Sequence, residues 1–142
     1  MPPIIAFDAD VIGRQRTGDE TVATGLLTAL AARSDLDFQV LAYVRDVAKV
    51  PAAITASGVV YPVAVSVDSN YRRVAVSLPA RLRADRPALY HGNYVLPPSL
   101  PCPGIVTVHD SSYRFAAELM PKADGLAFGR IVPWSLRRAA RV

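Results

Sequence analysis

Residues 105–112 read IVTVHDSS. Ile105, Val106, Thr107 and Val108 are all β-branched, the side chains that favour strands and pack well on a pleated surface. No apolar–polar alternation marks one wet face, so the strand is expected to be buried on both, as in parallel sheets. It then ends on His109 and Asp110. Groups that seek water, a proton or a ligand are tolerated there if the strand's carboxyl end opens on a cleft. In open α/β sheets that edge is where ligands bind.

Outward from this stretch, strand-length apolar runs alternate with helix-length segments. Ile4–Asp8, Phe38–Val44, Val59–Val65 and Ala88–His91 read as strands, and Gly104–His109 as the fifth. Thr17–Arg33 reads as a helix, with Val22, Leu26 and Leu30 at i, i+4, i+8 on one face. Thr17 and Glu20 offer the Thr-x-x-Glu of a capping box, and Asp19 and Glu20 suit the positive end of the helix dipole. Ser69–Arg83 carries helical spacing through Val74, Leu78 and Leu82, with Pro79 as a kink or break. Ala123–Ala140 is helical again around Pro133, a kink or a division into two helices, and is expected to cover the sheet with Leu126, Ile131, Trp134 and Leu136. The alternation predicts an α/β fold: a Rossmann-like doubly wound parallel sheet in a single domain.

A chain of 142 residues suits one domain with a proper core. Half of it is apolar and only a fifth is charged, which excludes a disordered chain. The net charge of +4 is spread along the sequence and does not point to nucleic acid. Cys102 is the only cysteine, so no internal disulfide can form and a reducing compartment fits. It lies between Pro101 and Pro103, in what reads as a stiff surface segment without an activating base. The opening MPPIIAFDADV lacks a basic n-region and meets Asp8 and Asp10 early, so it reads as a strand rather than a signal peptide. No apolar run approaches the roughly 20 residues of a membrane span. A cytoplasmic protein is expected.

Three stretches could carry chemistry. The loop DADVIGRQRTGDET, residues 8–21, brings Gly13, Gly18, Arg14 and Arg16 to a helix N-terminus, where free N–H groups can hold an anion. Asp19 and Glu20 oppose a phosphate there, and neither G-x-G-x-x-G nor the P-loop pattern is present, so a structural turn is as good an account. His109-Asp110 could exchange protons or hydrogen bonds with a ligand, or simply end a strand with an Asx turn. His91, His109 and Asp110 alone offer themselves to a metal, and none is expected. The third stretch, Tyr90 to Pro98, holds His91, Asn93 and Tyr94, which suits polyol recognition or, equally, a tyrosine loop packed on its own prolines. No G-x-S-x-G elbow supports a hydrolase.

Taken in order, DADVIGRQRTGDET, ALYHGNYVLPP, PGIVTVHDSSYRF and PWSLRRAARV resemble the N-terminal domain of GT-B-fold retaining glycosyltransferases. The resemblance is to family 4, which includes many bacterial mannosyl- and glucosyltransferases. It covers nearly all 142 residues and is weakest over 44–73. It implies transfer of a sugar from a nucleotide diphosphate donor to a hydroxyl acceptor, such as a glycan or lipid-linked sugar. His109 would face the transferred sugar as the catalytic position, with Asp110 holding its loop. Gly18 and its neighbours Arg16 and Asp19 match the family's first loop beside donor phosphates and acceptor, and His91, Asn93 and Tyr94 join them as substrate-binding positions. Asp19 and Glu20 stand where the family has a small pair, which favours hydroxyl recognition over phosphate contact.

The resemblance further implies that the whole chain is the acceptor-side domain and that a nucleotide-sugar domain lies outside it, so the sequence is expected to be part of a longer protein. No cofactor is implied. Two other classes stay open. One is a non-catalytic doubly wound domain that binds a nucleotide or another ligand. The other is an interaction module whose WSLRRAAR helix makes peripheral contact with acidic lipid or protein, against the plainer account of a solvated helix face.

Overall fold

In the computed structural model, residues 1–15, 17–65, 69–111 and 122–142 are described, with backbone alone for 17 and 122–126. β1 (Ile4–Asp8) stands at the centre of a five-stranded sheet with β2 (Gln39–Val44), β3 (Val60–Ala64), β4 (Leu89–Asn93) and β5 (Gly104–Thr107). The strand order is β3-β2-β1-β4-β5 and every pairing is parallel. Helices α1 (Thr17–Ala31), α2 (Ala52–Thr55), α3 (Asn70–Arg72), α4 (Leu78–Asp85) and α5 (Lys122–Arg138) flank it. This is the α/β, Rossmann-like architecture that the alternating pattern predicts, built on one sheet.

The strand period of two divides the interior into two cores. Phe7, Val40, Ala42, Val44 and Val60 pack with Ala23 and Leu27 of α1 and Ile54 of α2 on one face. Ala6, Tyr43, Tyr90 and Val106 pack with Leu78 and Leu82 of α4 on the other, where Leu136 of α5 adds partial cover. Leu27, Leu78 and Leu82 are fully buried, each contributing on the order of 2 kcal/mol of hydrophobic transfer. After α5, Arg141 forms a parallel bridge with Ile105, and the Ala140 N–H reaches the Gly104 carbonyl at 2.7 Å.

Several local expectations are corrected. On α1 the buried line is Ala23 and Leu27, with Leu26 and Leu30 at its margin, while Val22 is 49% exposed. The buried stripe thus lies one residue on from Val22, Leu26 and Leu30. β4 runs two residues further than expected and takes in Asn93, whereas β5 stops at Thr107 and leaves His109 beyond it. Glu20 accepts from the Gly13 N–H at 2.7 Å, so its carboxylate ties the preceding loop to α1. Gly13 has φ +80°, and a Cβ there would lie 2.7 Å from the Lys49 Cβ, which explains glycine at this turn. α5 continues through Pro133 as one helix, with Gly129 at the i−4 position where a proline ring crowds the carbonyl. Its buried residues include Val132 and Ser135, not Ile131 and Trp134, which are half-buried; the Leu126 side chain lies outside the described residues.

The largest correction falls between α3 and α4. Arg73–Ser77 forms a π turn, and the Leu78 N–H bonds to the Arg73 carbonyl five residues back. Pro79, in the first turn of α4, has no N–H to continue α-type bonding. The wider turn puts Arg73, rather than Val74, on the face of Leu78 and Leu82, and Arg73 is only 3% exposed.

Candidate functional site

β1 and β4 are neighbours, but the chain leaves β1 towards one edge of the sheet and reaches β4 and β5 on the other side. The carboxyl ends of such a pair form a topological switch point. A cavity of about 740 Å³ opens there. Its floor is polar and begins with the first strand's last residue, Asp8.

Asp8 is nearly buried. Its carboxylate accepts from Arg73 Nη2 at 2.6 Å, Arg73 Nη1 at 3.1 Å and the Tyr90 hydroxyl at 3.1 Å. Asn93 Nδ2 donates to the Asp8 backbone carbonyl at 2.8 Å, tying the ends of β1 and β4 together. Asp10 lies one step along the loop. It accepts from Arg45 Nε at 2.6 Å and Arg14 Nη1 at 2.8 Å, and Arg73 Nε stands 3.2 Å from its Oδ1. Burial pushes the Asp10 carboxyl up, but the Arg45 hydrogen bond and the charges of Arg73, Arg45 and Arg14 together hold it below the usual value. Arg73 is disfavoured as a cation by burial, which Asp8 and Asp10 outweigh, so its guanidinium is held charged more firmly than usual. The Tyr90 phenol is pushed well up by burial and by the charge of Asp8.

Arg45 carries the network outward, donating from Nη2 to Asn70 Oδ1 at 2.6 Å. One guanidinium thus joins the end of β2 to the start of α3. Above the floor stand two apolar walls. Tyr71, Val74 and Ala75 make one, and Phe128, Ile131 and Trp134 of α5 the other. The loop after β4 closes the back. There the Leu96 N–H donates to the buried Ser135 hydroxyl at 3.0 Å, and Arg138 Nη1 to the Pro97 carbonyl at 3.3 Å. The Arg138 guanidinium also lies 4.3 Å from the Trp134 ring centroid.

Of the residues singled out in the sequence, Asp19, Asn93, Tyr94 and Asp110 line the cavity. His109 does not. It stands behind the lining, with Nε2 3.0 Å from Asn93 Oδ1 and its ring edge-on to Tyr94 at 5.6 Å. Tyr94 adopts φ 61°, and its own ring also meets Phe128 at 6.0 Å. Burial and the carboxylates of Asp19 and Asp110 push its phenol up to about 12. His91 lies within β4, in register with Phe7, its Nε2 2.7 Å from Thr107 Oγ1 and its ring edge-on to Phe7. Burial, then the charge of His109, lowers its pKa. Gly18 is exposed and outside the lining, and Arg16 lies outside the described residues.

Asp8 and Asp10 have a visible signal, two acids closing an apolar run. Arg73, Arg45 and Asn70 have none, because each is placed by tertiary contacts or by the π turn. Chemically, the floor offers hydrogen-bond donors and acceptors fixed by ion pairs, and the rest of the lining adds carboxylates at Asp19 and Asp110. Such a set can orient hydroxyl groups. Among the described residues no helix is long and apolar enough to cross a membrane. Comparison with protein-family models, curated proteins and solved structures finds no match for the chain.

Proposed function

We propose that the chain is the acceptor-side domain of a bacterial, cytoplasmic, retaining glycosyltransferase of the GT-B kind. It would work with a nucleotide-sugar domain outside these residues, moving a sugar from a nucleotide diphosphate donor to a hydroxyl acceptor. One observation carries this. The cavity at the switch point brings together Asp19, Asn93 and Tyr94, which the sequence singles out separately for substrate recognition, and Asp110, singled out beside His109. His109 acts here as a positioning residue, holding Asn93 and the Tyr94 ring and so fixing the group nearest the transferred sugar. The donor phosphate, gripped elsewhere, would assist loss of the acceptor proton.

The test is product analysis with the polypeptide of the complete reading frame and a panel of nucleotide diphosphate hexoses. Transfer with the donor's anomeric configuration kept is expected, and none by the 142 residues alone. His109→Ala should lower kcat by roughly a hundredfold to a thousandfold, as for loss of one positioned polar group, while the protein stays folded. Inversion, or no transfer from any donor, would overturn the proposal.

A second account is a non-catalytic ligand-binding domain. It is favoured by His109 standing behind Asn93 and Tyr94 rather than in the lining. Tight binding of a nucleotide to these residues alone would support it, because the transferase account puts the nucleotide on the other domain.

A further inference from the structure

We infer that the cavity takes an uncharged amphiphile, with a hydroxyl-bearing polar end on the Asp8–Asn93 floor and an apolar body between the two walls. This rests on the acceptor account above and narrows it. Free glycans and anionic ligands are disfavoured, for two separate reasons.

The walls decide against a bare sugar. Tyr71 and Val74 line the cavity together with Phe128, Ile131 and Trp134, and Tyr71 is 57% exposed. A free sugar would bring hydroxyls against these side chains and leave them unanswered, at a desolvation cost. An alkyl or aryl body would instead remove their apolar surface from water. The volume, about 740 Å³, lies within the usual range for a site that encloses a whole small molecule.

The charges decide against an anion. Among the described lining residues Asp8, Asp10, Asp19 and Asp110 outnumber Arg14 and Arg73. Arg45, just behind, does not reverse the balance. Two Arg73 donors are bonded to Asp8 and its Nε lies 3.2 Å from Asp10, so a phosphate would have to compete with a buried ion pair to reach this guanidinium. What the floor offers is fixed dipoles and acceptors, which suit neutral hydroxyls.

The chain has one tryptophan, Trp134, and it lines the cavity, so its fluorescence reports occupancy directly. The intact chain would be titrated with octyl β-glucoside below its micelle concentration, and with glucose, octyl phosphate and uridine diphosphate. Octyl glucoside is expected to give a saturable change at concentrations at least about tenfold lower than glucose and uridine diphosphate, from burial of its tail, and lower than octyl phosphate, whose equal tail leaves only the acidic lining to tell the two apart. Tyr71→Ser, at an exposed position that should still fold, is expected to weaken binding about threefold to tenfold. Ile131→Asn, checked by its melt, provides a second wall variant. Equal affinity for glucose, octyl phosphate or the nucleotide would overturn the proposal, as would octyl glucoside binding unaltered in both variants. The readout needs no donor and no turnover. Absent transferase activity with octyl glucoside binding retained would therefore sink the enzymatic account alone, and transfer to free sugars without such binding would sink this one alone.

Discussion

Two glycines show how a single Cβ can act in opposite directions. Gly13 combines φ +80° with a Lys49 Cβ that would sit 2.7 Å from any added methyl, while Gly25, inside α1, has nothing within 4 Å. Gly13→Ala should therefore cost about 1–3 kcal/mol through a forced left-handed backbone and a clash. Gly25→Ala should add roughly 0.5–1 kcal/mol by removing unfolded-state freedom in a helix interior. Thermal melts of the two variants, moving in opposite directions, check both; a stabilised Gly13→Ala would mean that the turn relaxes. Tyr94 is a different case. Its φ of 61° belongs to a bulky residue, and the conformation is held by the Tyr94 N–H on the Thr107 carbonyl at 2.9 Å and the Val95 N–H on the Asn93 carbonyl at 2.7 Å. A short turn of this kind is strained, and it places the ring at the cavity between His109 and Phe128.

At the level of elements, the π turn Arg73–Ser77 is what makes the site. An ordinary α turn would have put Val74 on the sheet-facing stripe and left Asp8 without its cation. Removing one member of a buried pair leaves the other uncompensated, at about 3–5 kcal/mol. Arg73→Met is thus expected to lower stability by that order in denaturant melts. The double variant Arg73→Met with Asp8→Asn should recover part of it, and additivity of the two single losses would show that the pair is not coupled. The elements were largely legible. Strand runs such as Ile4–Asp8, and helices that begin at Thr17 and carry Leu78 and Leu82, declare themselves by period. What the sequence hid was phase: a five-residue turn cannot be read from a 3.6-residue template. The one-residue offset on α1 has a related origin, since Ala23 leaves too faint an apolar signal to compete with Val22.

For the whole molecule, pH sensitivity follows from a group within β4 and another in the loop after β1. His91 has its pKa lowered from 6.5 by burial, so the unfolded chain binds its proton more readily than the native one. Its contribution to stability is present above pH 6.5 and is lost as pH falls through the lower native value. Asp10, lowered from 3.8, acts likewise in the acid range below its ordinary value. Melting temperature should therefore fall in two stages on acidification, and His91→Asn should remove the first. A flat profile between pH 7 and 5 would contradict the burial of His91. Sheet class and the ligand edge were readable because alternation and strand-end polarity survive in one dimension. The cavity's walls were not, since Tyr71 and Trp134 come to line one cavity only after the chain has folded.

The double fastening of one wall has a consequence for traffic. Arg45 holds Asn70 from the end of β2, and Arg73 holds the following turn to the end of β1. A panel bolted at two points resists swinging, so that side is expected to keep its shape when a guest enters. Asp19, Tyr94 and Asp110 lie in the same lining outside that fastened wall, so any adjustment to a guest falls to them rather than to the wall.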